Sequence, residues 1–176
     1  MRAAVTPVIL AIPLLLGLGG CTGMRGSGPT AVAVMEARSG SAVSGTVTFR
    51  QAGDVVRAHV VLSGFAPGSE HGFHVHDKGD CSAPDAASAG GHFNPDGSAH
   101  GRAGGPVHHA GDLPSLVADA HGEVKADLAH SGVTLEAGPH SIVGRALIVH
   151  RDADDYTSQP SGNSGPRFAC AVIRLQ

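Results

Sequence analysis

His74-Val75-His76 places two imidazoles two residues apart. On a strand such residues point to the same side, so both rings face one way and Val75 faces the other, towards a core. Two ligands on rigid backbone make half of a metal site. His71 stands an odd number of residues from both, so a regular strand sends it to the opposite face as a buried, hydrogen-bonded structural residue. His150 ends the apolar run Ala146-Leu147-Ile148-Val149 and can point from the end of a buried strand into a loop-covered site as a third ligand. His92, His100, His109 and Asp112 are three imidazoles and a carboxylate, a closed four-donor set suited to zinc. A tight turn through Ala110-Gly111 brings His109 and Asp112 to one ion. An all-imidazole set from the strands suits copper, which binds most tightly of the first-row divalent metals. Neither set alone decides how the ligands pair.

Strands must position these rings. Ala31 to Arg38, Val43 to Arg50, Val55 to Ser63 and Glu70 to His76 are short, rich in β-branched residues and separated by turn material. Ser115 to Ala120 and Glu123 to Ala129, around His121-Gly122, read as a hairpin. Ala146 to His150 and Phe168 to Leu175 complete eight. No stretch has a helical period of adequate length. The pattern predicts an all-β fold, an eight-stranded antiparallel Greek-key barrel or sandwich. Two long intervals, 77–114 and 151–167, lack alternation. Loops of this length in a compact domain are functional or disordered. The histidines in the first favour function, since a metal orders a loop that has no core of its own.

With 26 Gly, 5 Phe, one Tyr and no Trp, the composition suits short strands and many turns. Twelve His in 176 residues raise the prior for a metal site. A net charge of −3 argues against nucleic acid, and Lys78 and Lys125 are too few for a membrane-binding basic run. His59, His121, His130 and His140 read as surface residues, as does His108, because only His109 keeps the interval to Asp112. Residues 1–20 carry Arg2 and then an apolar run from Val8 to Leu18, the pattern of an export signal. Leu18-Gly19-Gly20-Cys21 resembles a bacterial lipobox, which predicts cleavage before Cys21 and lipid on that residue. Residues 21–30 read as a flexible tether and residues 31–176 as the domain. The expected location is the periplasm or cell surface, with membrane contact through the N-terminal lipid only. With Cys21 lipidated, Cys81 and Cys170 remain as a pair in an oxidising compartment.

Four ordered motifs carry a resemblance: His71-Gly72-Phe73-His74-Val75-His76, Gly90-Gly91-His92-Phe93-Asn94-Pro95, His109-Ala110-Gly111-Asp112-Leu113 and Gly162-Asn163-Ser164-Gly165-Pro166-Arg167-Phe168-Ala169-Cys170. The chain from Val32 to Leu175 resembles the copper–zinc superoxide dismutase family, and its exported bacterial branch in particular. The resemblance implies one copper and one zinc per subunit. Copper would be held by His74, His76, His92 and His150, zinc by His92, His100, His109 and Asp112, with His92 as the bridge. It implies that Asp154 links a copper histidine to a zinc histidine, that Cys81 and Cys170 form a disulfide, and that Arg167 guides the superoxide substrate. In the family mechanism His92 gains a proton on the copper side and later delivers it. A homodimer and a monomer are both compatible with the resemblance. Ala171 stands where the family usually has Gly, so a methyl group must fit there. Two other functions compete: a non-catalytic copper/zinc-binding module of the same fold, and a zinc hydrolase, which would need an open zinc position that four protein ligands do not leave.

Overall fold

In the computed structural model, Met1 and residues 28–176 are described. The export signal, Cys21 and most of the tether lie outside the described residues. Thr30, assigned to the tether from sequence, is the first residue of strand β1 (Thr30–Ala37).

Alternation sets the first strands. In β3 (Val55–Ser63), Val56, Ala58, Val60 and Leu62 are buried while their odd-numbered neighbours face out. β1 buries Ala31, Ala33 and Met35, and β2 (Ser44–Ala52) buries Val47 and Phe49. Gly53-Asp54 joins β2 to β3, with Ala52 opposite Val55 and Gly53 at a φ of 63°. That is the two-residue hairpin for which glycine is suited. β4 (Glu70–His71), β5 (Phe73–His76), β6 (Leu116–Val117), β7 (Glu123–Ser131), β8 (Ala146–His150), β9 (Arg167–Val172) and β10 (Arg174–Leu175) complete the set.

The strands form one curled antiparallel sheet in the order β5-β8-β9-β1-β2-β3-β7, with β10 also on β1, and a small β4–β6 pair. One edge of β1 is shared: Ala31 and Val32 pair with β10, while Glu36 and Ala37 pair with β9. The curl encloses Phe49, Phe73, Met35, Leu62, Leu147 and Ile173. Val133, Leu135 and Ile142, from the segment between β7 and β8, join the same core.

Two expected strands are divided. Residues 70–76 break at Gly72, whose N–H donates to Asp152 O and whose carbonyl accepts from His150 N–H, both at 2.8 Å. The last strand breaks at Ile173 as the chain moves along β1. The expected hairpin is not a ladder: β6 pairs with β4, while β7 extends along all of β3. The turn itself forms, because Asp119 Oδ1 accepts from the His121 and Glu123 amides. Nine consecutive pairs with β3 then take β7 away from β6.

The free edge of β5 is where the first long loop docks. Val75 N–H donates to Gly111 O, Phe93 N–H to Val75 O, Gly111 N–H to Phe93 O, and Leu113 N–H to Phe73 O. A loop without internal strands thus lies in register against the sheet, with His74 opposite Asp112 and His76 opposite His92. Near its start the loop is tied by the Cys81–Cys170 disulfide. Ala86, Ala89, Ala146, Ile148 and Cys170 form a second, smaller core there.

Candidate metal centre

β5 and β8 present one outer face to the loops. His74 pairs with Ile148 and His76 with Ala146, while Phe73 and Val75 face the core. His150 continues the Ala146–Ile148 face. On β9, Val149 opposes Ala169 but His150 opposes Arg167, a register shift that skips Phe168. Regular alternation would send Arg167 to the other face. The bulge turns it to the side of His150, a re-aiming that bulges commonly achieve.

Two groups of donor atoms result, each with its atoms within 4.8 Å of one another: His74, His76, His92 and His150, and His92, His100, His109 and Asp112. His92 belongs to both. Its Nδ1 lies 2.8 Å from Asp112 Oδ1 and 3.3 Å from His109 Nδ1, inside the second group. Its Nε2 is buried without a hydrogen-bond partner, on the first group's side.

The outward nitrogens fix the tautomers. His76 Nδ1–H donates to Gly90 O at 2.9 Å and His150 Nδ1–H donates to Gly165 O at 3.0 Å. Each Nε2 is then a bare lone pair, and the two lie 3.4 Å apart. Two acceptors so placed repel; a cation between them removes the conflict. Asp154 does the same for two further rings. Its Oδ2 accepts from His74 Nε2–H at 2.8 Å and its Oδ1 from His100 Nε2–H at 2.9 Å. That leaves His74 Nδ1 and His100 Nδ1 buried, without hydrogen-bond partners and facing inward. Orphaned buried nitrogens are rare. Their arrangement here fits two ions, one in an all-imidazole group and one in a three-histidine, one-carboxylate group.

Electrostatics agree. Burial drives His92 down to about 4, against the pull of Asp112. Burial, reinforced by His74, drives His150 down to about 3, and burial with His92 and His150 lowers His76 well below its usual value. These rings are neutral at pH 7, as metal ligation requires. Burial opposes ionisation of Asp112, but hydrogen bonds from His109 and His92 outweigh it and hold the carboxyl well below its ordinary range. Asp154 is balanced in the same way by His74 and His100.

A cleft of about 410 Å³ opens on the centre, lined by His76, His92, His109, His150, Pro160 and Arg167 among others. Arg167 is held by two carbonyls of the disulfide-tied loop, Ala86 O and Gly90 O, the latter at 2.6 Å. Gly90 O therefore fixes both His76 and Arg167. Arg151, by contrast, is engaged with its neighbour Asp152, and Arg102 stacks on Tyr156 with its guanidinium carbon 3.9 Å from the ring centroid.

Every site residue named from sequence in the described part of the chain lies at this centre or in its supports. His71 is structural as expected: it is buried, its Nδ1–H donates to His150 O, and it packs on Phe65. His59 and His121 are exposed. His130 differs from expectation. It is buried and its Nε2–H donates to Ala110 O at 2.8 Å, bracing the turn that presents His109 and Asp112. Alternation could have found this, because the even-numbered residues of β7 face inward and His130 lies opposite the core residue Val56. Ala171 is accommodated in the core, 5 % exposed. Sequence reading also missed the bulge at Phe168 and the role of Gly162, where a Cβ would come 1.8 Å from Asp154 Oδ1.

An antiparallel β-barrel with two adjoining metal-ligand groups and one histidine common to both is a narrow class of protein. The chain belongs to the copper/zinc superoxide dismutase family, whose sequence profile matches residues 43–173. It is 41% identical over 150 residues to a copper–zinc superoxide dismutase of Paramecium bursaria Chlorella virus 1, covering 82% of this chain and 77% of that one. It is 43% identical over 115 residues to copper–zinc superoxide dismutase 2 of Aquifex aeolicus, covering 63% and 67%. The crystal structure of the clock protein EA4 superposes with a TM-score of 0.77 at 37% identity, covering 85% of this chain and 96% of that one.

Proposed function

We propose that the protein is a superoxide dismutase in which His74, His76, His92 and His150 hold copper and His92, His100, His109 and Asp112 hold zinc. Two superoxide anions and two protons become one oxygen and one hydrogen peroxide. Copper, when bound, would supply the one-electron couple that this reaction needs. The chain's own residues do the rest. Arg167, charged at any working pH, draws the anion into the cleft and orients it. His92 Nε2 takes up a proton and hands it to the departing peroxide, while Nδ1 keeps the ring anchored in the zinc group. Asp154 fixes His74 and His100 together. Four protein donors close the zinc group, which disfavours hydrolysis there.

The observation that carries this reading is His92, whose two nitrogens face two separate donor groups. The non-catalytic alternative has no support in the residues, since every copper donor and Arg167 are in place. The test is metal content and superoxide decay measured on one purified sample. His150→Ala should abolish turnover and leave zinc bound; loss of zinc with copper retained would overturn the assignment.

The reading extends to location. Residues 1–20 act as an export signal and Cys21 carries lipid, which tethers the domain to a membrane outside the cytoplasm. Leu18-Gly19-Gly20-Cys21 supports this, as does the pairing of Cys81 with Cys170, since disulfides persist in oxidising compartments. Cys21→Ser should move activity from the membrane to the soluble fraction; a variant that stays on membranes would refute the anchor.

A further inference from the structure

His100 is the ligand with the least scaffold around it. It lies outside any strand, in a segment of loop between Gly97 and Gly105. Its ring is held by Asp154. Its backbone is held by one side chain from the other long loop. Its N–H donates to Gln159 Oε1 at 2.9 Å, and its carbonyl accepts from Gln159 Nε2–H at 3.0 Å. Among the described residues neither group has another partner. The primary amide of Gln159 thus imitates one rung of a β-ladder, offering an acceptor and a donor in a fixed plane. The next residue, Gly101, donates its N–H to Asp112 Oδ2 at 3.2 Å, so the rung sets His100 in register with the carboxylate of the same donor group.

We propose that Gln159 is a positioning residue for the zinc group: by clamping both backbone groups of His100, it aims His100 Nδ1 at the space shared with His92 Nδ1, His109 Nδ1 and Asp112. The inference rests on the zinc assignment above. Gln159 contacts none of the copper donors, so its direct effect falls on the zinc group. Removing the clamp leaves the ring tied to Asp154 while the backbone beneath it is free to drift, and ligand direction is lost without loss of a ligand. Such supports are worth about 10–100-fold in metal affinity.

The test uses the mature, disulfide-bonded chain stripped of metal. Cobalt(II), whose visible absorption reports four-coordinate geometry, is titrated into the wild type, Gln159→Ala and Gln159→Glu. Zinc affinity is measured by chelator competition, and copper affinity is measured with zinc bound. Gln159→Ala should weaken cobalt and zinc about 10–100-fold and leave copper affinity unchanged. Gln159→Glu, which keeps the acceptor for the His100 amide, should lose less. Equal cobalt affinity in Gln159→Ala and wild type would overturn the proposal. A parallel fall for copper would also overturn it, since that marks a general loop fastener. A wild type that binds no cobalt in a four-coordinate site would overturn the zinc assignment itself.

Discussion

Asp154→Asn tests the electrostatic core of the centre. The carboxylate accepts three hydrogen bonds, from His74 at 2.8 Å on Oδ2 and from His100 at 2.9 Å and the Tyr156 amide at 2.7 Å on Oδ1, and its side chain is 1% exposed. An amide is nearly isosteric but has one acceptor and one donor. Its oxygen can serve one ring; its NH₂ must then face the other ring's N–H. That second histidine either turns away or moves its proton to Nδ1, the nitrogen that should bind metal. Each hydrogen bond to a buried charge is worth about 1.5–3 kcal/mol, and 1.4 kcal/mol is a factor of ten. Loss of one bond therefore predicts about a 10–100-fold weaker affinity for the metal whose ligand loses its acceptor. The Tyr156 amide requires an oxygen at the Oδ1 position, beside His100, so the NH₂ falls opposite His74 Nε2–H. Copper, for which His74 is a donor, should accordingly suffer more than zinc. Chelator competition for each metal, on protein whose fold is checked by circular dichroism, gives the answer. Unchanged affinity for both metals would refute the tautomer argument on which the ligand sets rest.

Three further outcomes are expected. Arg167→Ala should lower the second-order rate of superoxide decay at full metal content and Arg167→Lys should restore part of it, because Arg167 directs the anion without ligating metal; an unchanged rate in the alanine variant would remove its assigned role. Reducing the Cys81–Cys170 bond, which closes a separation of 89 residues, should destabilise the metal-free protein by ~4–5 kcal/mol in denaturant titration; no shift in midpoint would show that the loop is held otherwise. Acid should unfold the metal-free protein early. His92 and His150 are depressed from 6.5 to about 4 and about 3, so their stabilising effect is complete above pH 6.5 and is lost as pH falls towards those values, at ~1.4 kcal/mol per ring per pH unit. Stability independent of pH between 6.5 and 4 would show that these rings protonate freely in the folded state.

The strands and the faces on which the strand histidines lie were legible because they obey short-range rules. Spacing by two put His74 and His76 on one face, and the odd offset of His71 put it on the other. The pairing of loop residues with strands was legible through whole motifs, since nothing in His100 alone tells which ring nitrogen it offers. What stayed hidden depends on long-range geometry. The bulge at Phe168 turns Arg167 by one residue's parity, and no local pattern marks it. The hairpin read around His121-Gly122 had good turn residues, yet β3 outcompeted β6 as the partner of β7 because it offers nine pairs. Gln159 lies in the second long loop with no motif to mark it, and its partner lies 59 residues away.

The shared edge of β1 bears on how the chain folds. The second half of that strand waits for Ala169 and Cys170, and its first half for Arg174 and Leu175. The opening strand is thus completed by the closing one, at nearly the greatest sequence separation the domain allows. Contacts of such range are slow to form, since a long loop must be closed before they give any reward. During synthesis β1 and β2 can form a ribbon, but the barrel cannot shut until the final residues are free. Those residues also bring Cys170 and Arg167. A chain stopped short of them would therefore lack its disulfide, its anion-guiding charge and its seam together, so a truncated product should be open and unable to turn over, rather than folded and merely slow.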